Sequence, residues 1–290
     1  MFKVVFWGVG QDYNKYFNNI QREIEKKNIM CLGITAREKL FNYIDGIPFI
    51  MKEEIIRLDF DYLIIANEVH FKEIKNEAIE MGIENSKIIN ISVFSIPYFD
   101  FKKYVRVREA DISILSRNCF AGILYHYLQM QFRSPFINMF MTGVDFNKLV
   151  KNSKKYLDSE LYYIETRHGN IVNMDYPVCA LNDITLYMNH YSDFESAADS
   201  FYRRVKRVNL SNVYYVATAH DEDVIEEFLQ IDVPNKLLIT NRFVDVDYAV
   251  CLHLPDEDYV KMAISMARGN YPCIDFLAWL SGDKDYIRIK

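Results

Sequence analysis

Four consecutive positions, Ser116, Arg117, Asn118 and Cys119, carry a hydroxyl, a guanidinium, an amide and a thiol. Ile112, Ile114 and Leu115 before them make a short β-type run. From Phe120 to Gln131 the spacing turns helical, with Phe120, Leu124, Tyr127 and Leu128 on adjoining turns. The polar quartet is therefore expected where a strand ends and a helix begins. A helix start offers unpaired backbone N–H groups and the positive end of the dipole, which favour anions and lower the pKa of a thiol. Such a turn can stabilise an oxyanion or a phosphate, and Cys119 is the best thiolate candidate in the chain. The plainer reading is that Cys119 is a buried packing residue, with Asn118 or Ser116 capping the helix.

A thiol nucleophile needs a base within about 3.2 Å of its proton. His126 is seven residues on, roughly 10 Å along a regular helix, so it is not a direct partner and reads as a positioning or core histidine. The base must come from elsewhere: His220 is the first choice and His190 the second. Asn138, among Phe136, Ile137, Met139 and Phe140, is either a structural clamp or a ligand contact, because a lone amide in apolar company must find hydrogen bonds.

The elements that would position these groups follow from the pattern of the second half. Helical spacing covers residues 146–156, and Leu161–Ile164 and Tyr176–Val178 read as strands. His168-Gly169-Asn170 reads as a hairpin tip with a solvated histidine. Ser192–Glu195 reads as a capping box, and its helix turns Ala198, Phe201, Val205 and Val208 inward. Arg203, Arg204, Lys206 and Arg207 then share the outward face, which suits a phosphate as well as it suits water. Further strands are expected at Val213–Ala217, Lys236–Thr240 and Tyr248–Leu252, then a helix over residues 256–268 and a closing lid at Phe276–Trp279. Strands alternating with helices imply a largely parallel sheet, whose ligands bind beyond the carboxyl ends of the strands. That rule brings Arg117, Asn118, Cys119, Thr218, His220, Asn241 and Asp183 toward one rim.

The first half opens with a strand at Lys3–Trp7, the turn Gly8-Val9-Gly10, a helix with Tyr13, Phe17, Ile20 and Ile24 on one stripe, and a strand at Ile29–Ile34. The glycines suit close approach of the backbone to a phosphate, and equally suit a tight turn. Tyr13 stands where a dinucleotide fingerprint has its third glycine. Arg37, in place of an acidic residue after the second strand, could meet a phosphate. Strands at Asp61–Ala66 and Lys87–Ile91 flank a helix that ends at Gly82. Residues 1–92 thus read as a small doubly wound domain, residues 93–108 as an aromatic, packed connector, and residues 109–290 as a second α/β domain bearing the site.

The chain has 290 residues, half of them apolar, which suits one or two globular domains and excludes wholesale disorder. A net charge of −6 argues against a nucleic-acid binder. Five widely spaced cysteines without a CxxC pair read as reduced thiols, and no metal is expected. No run approaches the roughly 18 apolar residues of a membrane span. A soluble, cytoplasmic protein is expected, with a homo-oligomer left open.

The blocks SRNCFAGILYH (116–126), SPFINMF (134–140), YPVCALNDI (176–184), YMNHYSDFESA (187–197) and RRVKRVN (203–209) resemble a bacterial family catalogued as domain of unknown function 1919 and often labelled exopolysaccharide biosynthesis protein. WGVG, GIPF and DYLIIAN resemble the nucleotide-sugar-binding Rossmann modules of bacterial polysaccharide enzymes. The Cys119 turn, over a few residues, also resembles a polysaccharide acetyltransferase family that uses a Cys/His pair with coenzyme A. These likenesses imply two Rossmann-like domains with mainly parallel sheets and a transferase of surface-polysaccharide assembly, acting on a nucleotide-activated sugar or an acyl donor. Cys119 would be the nucleophile or a contact, His220 or His190 the base, and Asn118 with the helix start the anion site. Arg203 and Arg207 would hold a phosphate, and Gly8, Gly10 and Arg37 a nucleotide. The rival reading is a binding or scaffold protein of the same pathway that recognises a nucleotide-sugar without transforming it.

Overall fold

A computed structural model describes residues 1–38, 42–169, 173–256 and 258–288. The chain divides into two compact units, Met1–Arg106 and Val107–Lys290.

The first unit is built on a four-stranded parallel sheet. In chain order it holds β1 (Phe2–Trp7), α1 (Gln11–Glu25), β2 (Ile29–Thr35), the short antiparallel pair β3 (Tyr43–Ile44) and β4 (Ile47–Pro48), β5 (Tyr62–Ile65), α2 (Phe71–Glu80) and β6 (Ile88–Asn90). The sheet order is β2-β1-β5-β6. Successive residues of β1 face opposite ways, so Phe6 meets Tyr13 of α1 edge to face while Val5 and Trp7 join Ala78 of α2 in a separate core. One sheet thus buries both faces. The rings of Phe94, Phe99 and Phe101 pack on one another and on Phe2, Phe6 and Tyr62, so these aromatics are accounted for within this unit.

The chain passes through α3 (Phe101–Glu109) into β7 (Ser113–Ser116) and α4 (Phe120–Tyr127). Then come α5 (Gly143–Lys151), α6 (Ser153–Leu157), β8 (Leu161–Gly169), β9 (Met174–Leu181), β10 (Ile184–Tyr187), α7 (Phe194–Val205), β11 (Val213–Ala219), α8 (Glu222–Gln230), β12 (Lys236–Thr240), β13 (Ala249–Cys251), α9 (Tyr259–Ala267) and α10 (Phe276–Leu280). Four of these strands form a parallel sheet in the order β13-β12-β11-β7. The other three form an antiparallel sheet in the order β10-β9-β8. The fold is mixed α/β, with antiparallel as well as parallel sheets. One core joins Leu115 of β7, Leu149 of α5, Cys179 of β9, Phe201 of α7 and Phe228 of α8, so the antiparallel sheet rests on the same apolar mass as the parallel one.

Several elements depart from the sequence pattern for identifiable reasons. The helix expected over 146–156 is two helices, broken at Asn152, whose side chain caps α6 by accepting from the Lys155 N–H at 3.2 Å. The helix from Phe120 stops at Tyr127, and Gln129 takes a left-handed φ of 54°. The cap of α7 is Asp193, which accepts from the Ser196 N–H at 2.7 Å, and not Ser192. Phe276–Trp279 is no lid: α10 is buried along its length, with Phe276 edge-on to Phe120. Of the expected hairpin tip, His168 and Gly169 close β8, with His168 on Asp175 of β9 at 2.9 Å, while Asn170 lies outside the described residues.

Candidate functional site

The turn between β7 and α4 is held by its own side chains. Ser116 Oγ donates to the Asn118 carbonyl at 2.7 Å and accepts from the Ala121 N–H at 3.0 Å. Asn118 Oδ1 accepts from the Phe120 N–H at 3.1 Å, and its amide donates to Thr218 Oγ1 at 3.0 Å. The Arg117 guanidinium donates to the Thr218 carbonyl, and burial pushes its pKa down. Arg117, Asn118 and Thr218 therefore do come together, as a clamp between the ends of β7 and β11. The hydrogen bonds they make here tie the fold together. Two N–H groups at the start of α4, those of Phe120 and Ala121, are likewise occupied, so these two do not stand open to an anion.

Cys119 is the residue this clamp aims outward. Its sulfur lies 3.5 Å from His190 Nε2. The pairing follows from a continuous set of main-chain contacts. The Met141 N–H donates to the Arg117 carbonyl at 2.9 Å, so residues 138–141 run beside the turn. Phe140 and Tyr187 then exchange two main-chain bonds, at 3.0 and 2.8 Å, and stack their rings at 4.6 Å. Three residues beyond Tyr187, the chain delivers His190 to the thiol.

His220, the first choice as base, is not at the sulfur. Its Nδ1 faces the Tyr259 hydroxyl at 3.1 Å and its Nε2 lies 3.4 Å from Asp221. The reason is topological: β11 continues the parallel sheet, and its end turns His220 toward α9. The helix start also fails to acidify the thiol, because burial pushes the Cys119 pKa up against a smaller lowering from its backbone hydrogen bond. Burial thus favours the protonated thiol, with the His190 ring 3.5 Å from its sulfur.

The pair opens on a cavity of about 500 Å³. One wall is α4, through Gly122, Ile123, His126 and Tyr127; the other is made by Phe132, Asn138, His190 and Arg268. His126 is exposed here, and so is not a core histidine. Asn138 is exposed, has a left-handed φ of 62° and lines the cavity, which favours the ligand-contact reading over the structural clamp. Arg268 was not legible in advance. Its only signal is its place at the end of α9 before Gly269, whose Cα sits so close to Tyr127 that a Cβ would fall 2.3 Å from the hydroxyl.

The remaining candidates lie elsewhere. Asp183 occupies the turn between antiparallel β9 and β10, so it is not on the parallel sheet's rim. Lys155 at 2.7 Å, then the Tyr156 hydroxyl at 3.0 Å, hold its carboxyl down at a pKa of about 2. Asn241 donates to Asp256 at 2.6 Å, and Arg242 pairs with the same carboxylate. The basic face of α7 is not continuous: Arg204 points inward, donating to the Tyr191 hydroxyl at 2.6 Å and lying over Phe132. Arg203 is exposed, and Arg207 is half-buried. Among the described residues no group of three or more His, Cys, Asp or Glu could hold a metal ion, and no helix is long and apolar enough to cross a membrane.

The first unit has its own cavity, of about 700 Å³, where β1, β2 and β5 end and α1 begins. Gly8, Gly10 and Arg37 all line it, with Lys52 and Asn67. Gly8 has a φ of 120°, and a Cβ there would fall 2.7 Å from the Ala66 carbonyl, so the close approach needs glycine. At Gly10 nothing lies within 4 Å of such a Cβ. Asp12, which also lines the cavity, accepts from the Glu68 N–H at 2.7 Å.

Comparison with known proteins gives the chain its relatives. Residues 1–89 match the family model described as C2185-like, N-terminal. An uncharacterized protein of Haemophilus influenzae is 28% identical over 140 residues, which are 47% of this chain and 65% of that protein, so the chain spans less than two thirds of that relative. Residues 90–281, most of the chain, match the model described as domain of unknown function DUF1919, and the chain belongs to that family.

Proposed function

We propose that the protein is a thiol-dependent transferase of surface-polysaccharide assembly, that its activated donor is an acyl donor, and that Cys119 carries the acyl group. The observation behind this reading is the 3.5 Å separation of the Cys119 sulfur and His190 Nε2 beside an apolar-walled cavity. A thiol kept neutral by burial requires a base in place, and the imidazole is that base.

The step balances as follows. His190 takes the thiol proton as the sulfur adds to the carbonyl of an acyl thioester or ester. The tetrahedral adduct collapses with loss of the donor's thiolate or alkoxide, which leaves with the proton from His190, and Cys119 holds the acyl group as a thioester. A sugar hydroxyl then gives its proton to His190, attacks the thioester and restores the thiol. The Asn138 amide, in the cavity lining, is a side-chain donor available to the adduct's oxyanion.

The polysaccharide context rests on the resemblance of the five sequence blocks, and a cytoplasmic step is part of the same proposal. Incubation with an acyl-coenzyme A panel tests the chemistry. The expected result is an acyl mass increment on the Cys119 peptide, absent in Cys119→Ala. Full turnover by Cys119→Ala sinks the covalent route.

A second reading is favoured by the first unit's cavity. Its sheet order β2-β1-β5-β6 and the glycine turn into α1 support a Rossmann-like module that binds a nucleotide or nucleotide-sugar through Gly8, Gly10 and Arg37. Thermal stabilisation by a nucleotide-sugar, with no product over time, marks the protein as a binder in place of an enzyme.

A further inference from the structure

The cavity beside Cys119 carries one strong charge. None of its lining residues is an aspartate or glutamate, yet Arg268 contributes a guanidinium that forms no ion pair among the described residues. An arginine left unneutralised beside a cavity, presenting a fork of donors, suits a carboxylate or phosphate. Its place along the cavity is set by Gly269, which lies against the Tyr127 hydroxyl. Tyr127 closes α4, whereas Cys119 caps its start, so the thiol and Arg268 are tied to opposite ends of that helix. Cys119 and His126 are two turns apart, about 10 Å of helix rise. Between the ends the wall is Gly122 and Ile123, faced by Phe132, which suits a methylene chain.

We infer that the substrate of the Cys119 site is an acyl compound with a short apolar stretch ending in an anionic group, a carboxylate or a phosphate, held by Arg268 about two helical turns from the attacked carbon. This rests on reading Cys119 as the nucleophile. The anion is either the far end of a dicarboxylic acyl group or a phosphate of the donor, and probes can separate the two.

The test uses iodoacetamides with a pentyl tail on the amide nitrogen, ending in a carboxylate, a phosphate monoester or a neutral hydroxyl. In each, the Cys119 sulfur forms a bond to the methylene carbon, iodide leaves with the bonding electrons, and the thiol proton passes to His190 or solvent. Alkylation is read by peptide mass spectrometry at Cys119, against the other four cysteines. The expected result is a roughly two- to fivefold faster reaction for an anionic tail than for the neutral one, the range of an exposed charge pair. The advantage disappears in Arg268→Gln, is retained in Arg268→Lys, and shrinks in high salt. Preference for the carboxylate or for the phosphate tail identifies the source. Equal rates for all three tails, with Cys119 still alkylated, overturn the anion site and leave the thiol chemistry standing. Failure of every probe to reach Cys119, in a protein whose thermal midpoint is normal, overturns both.

Discussion

Cys119 and His190 are 71 positions apart in the chain, and the sulfur of one sits 3.5 Å from Nε2 of the other. Because burial raises the thiol's pKa, removing the ring takes away the group proposed to accept its proton. His190→Ala is expected to slow acylation of Cys119 by roughly a hundred- to ten-thousand-fold, the usual worth of a positioned base. The check is the initial rate of acyl-mass incorporation. His220→Ala, whose ring lies on Tyr259, should leave that rate within a few fold.

The pH dependence has a definite sign. A thiol whose pKa is raised holds its proton at pH values where an ordinary cysteine, near 8.5, begins to lose it. The rate of simple alkylation at Cys119 is therefore expected to be low at pH 7 and to keep rising through and above pH 8.5. The rate is measured by mass spectrometry against a denatured control. A plateau reached below pH 7 contradicts the burial argument.

Local order was legible and long-range pairing was not. The strand-to-helix turn at Cys119, the helix stripe through Tyr13 and Ile20, and the strand Lys236–Thr240 all follow from periodicity and turn chemistry, which act over a few residues. The choice between His190 and His220 depends on which strands are neighbours. The carboxyl-end rule applies to the parallel set, and it correctly joined Arg117 and Asn118 to Thr218. It failed for Asp183, which belongs to an antiparallel excursion. His190 reaches the thiol through the Phe140–Tyr187 bridge, a pairing that no sequence period announces. Arg268 was missed for the same reason, since its approach to α4 is a tertiary fact.

That bridge can be weakened without touching the thiol or the ring. Phe140→Ala removes one of two stacked aromatics, worth about 0.5–1.5 kcal/mol beyond the area buried. The main-chain bonds survive, but the segment that carries His190 gains freedom. A modest fall in the denaturant midpoint is expected together with a larger fall in acylation rate, measured on the same preparation. Proportional loss of both would mean that the stack stabilises the fold and does not position the ring.

Asp183 is expected to answer to stability and not to catalysis. Its carboxyl is held at a pKa of about 2 chiefly by Lys155, then by Tyr156. A folded pKa below the unfolded value gives stability that is present above about pH 4 and lost as pH falls toward 2. Asp183→Asn is expected to lower the thermal midpoint at pH 6 slightly and to flatten its decline between pH 4 and pH 2. Acylation at Cys119 should not change.

Gly8 and Gly10 separate what the first unit's turn needs for folding from what it needs for a ligand. Gly8 has a positive φ and no room for a Cβ beside the Ala66 carbonyl. Gly8→Ala is thus expected to cost about 1–3 kcal/mol of stability, read by denaturant unfolding. At Gly10 the φ is −86° and the space is open, so Gly10→Ala folds normally. If that opening receives a phosphate against the start of α1, the added methyl group stands in the ligand's place. Nucleotide-sugar binding, followed by calorimetry, should then weaken at least several-fold while the unfolding curve stays put. Unchanged affinity would limit the glycines to building the turn and remove the nucleotide from this cavity.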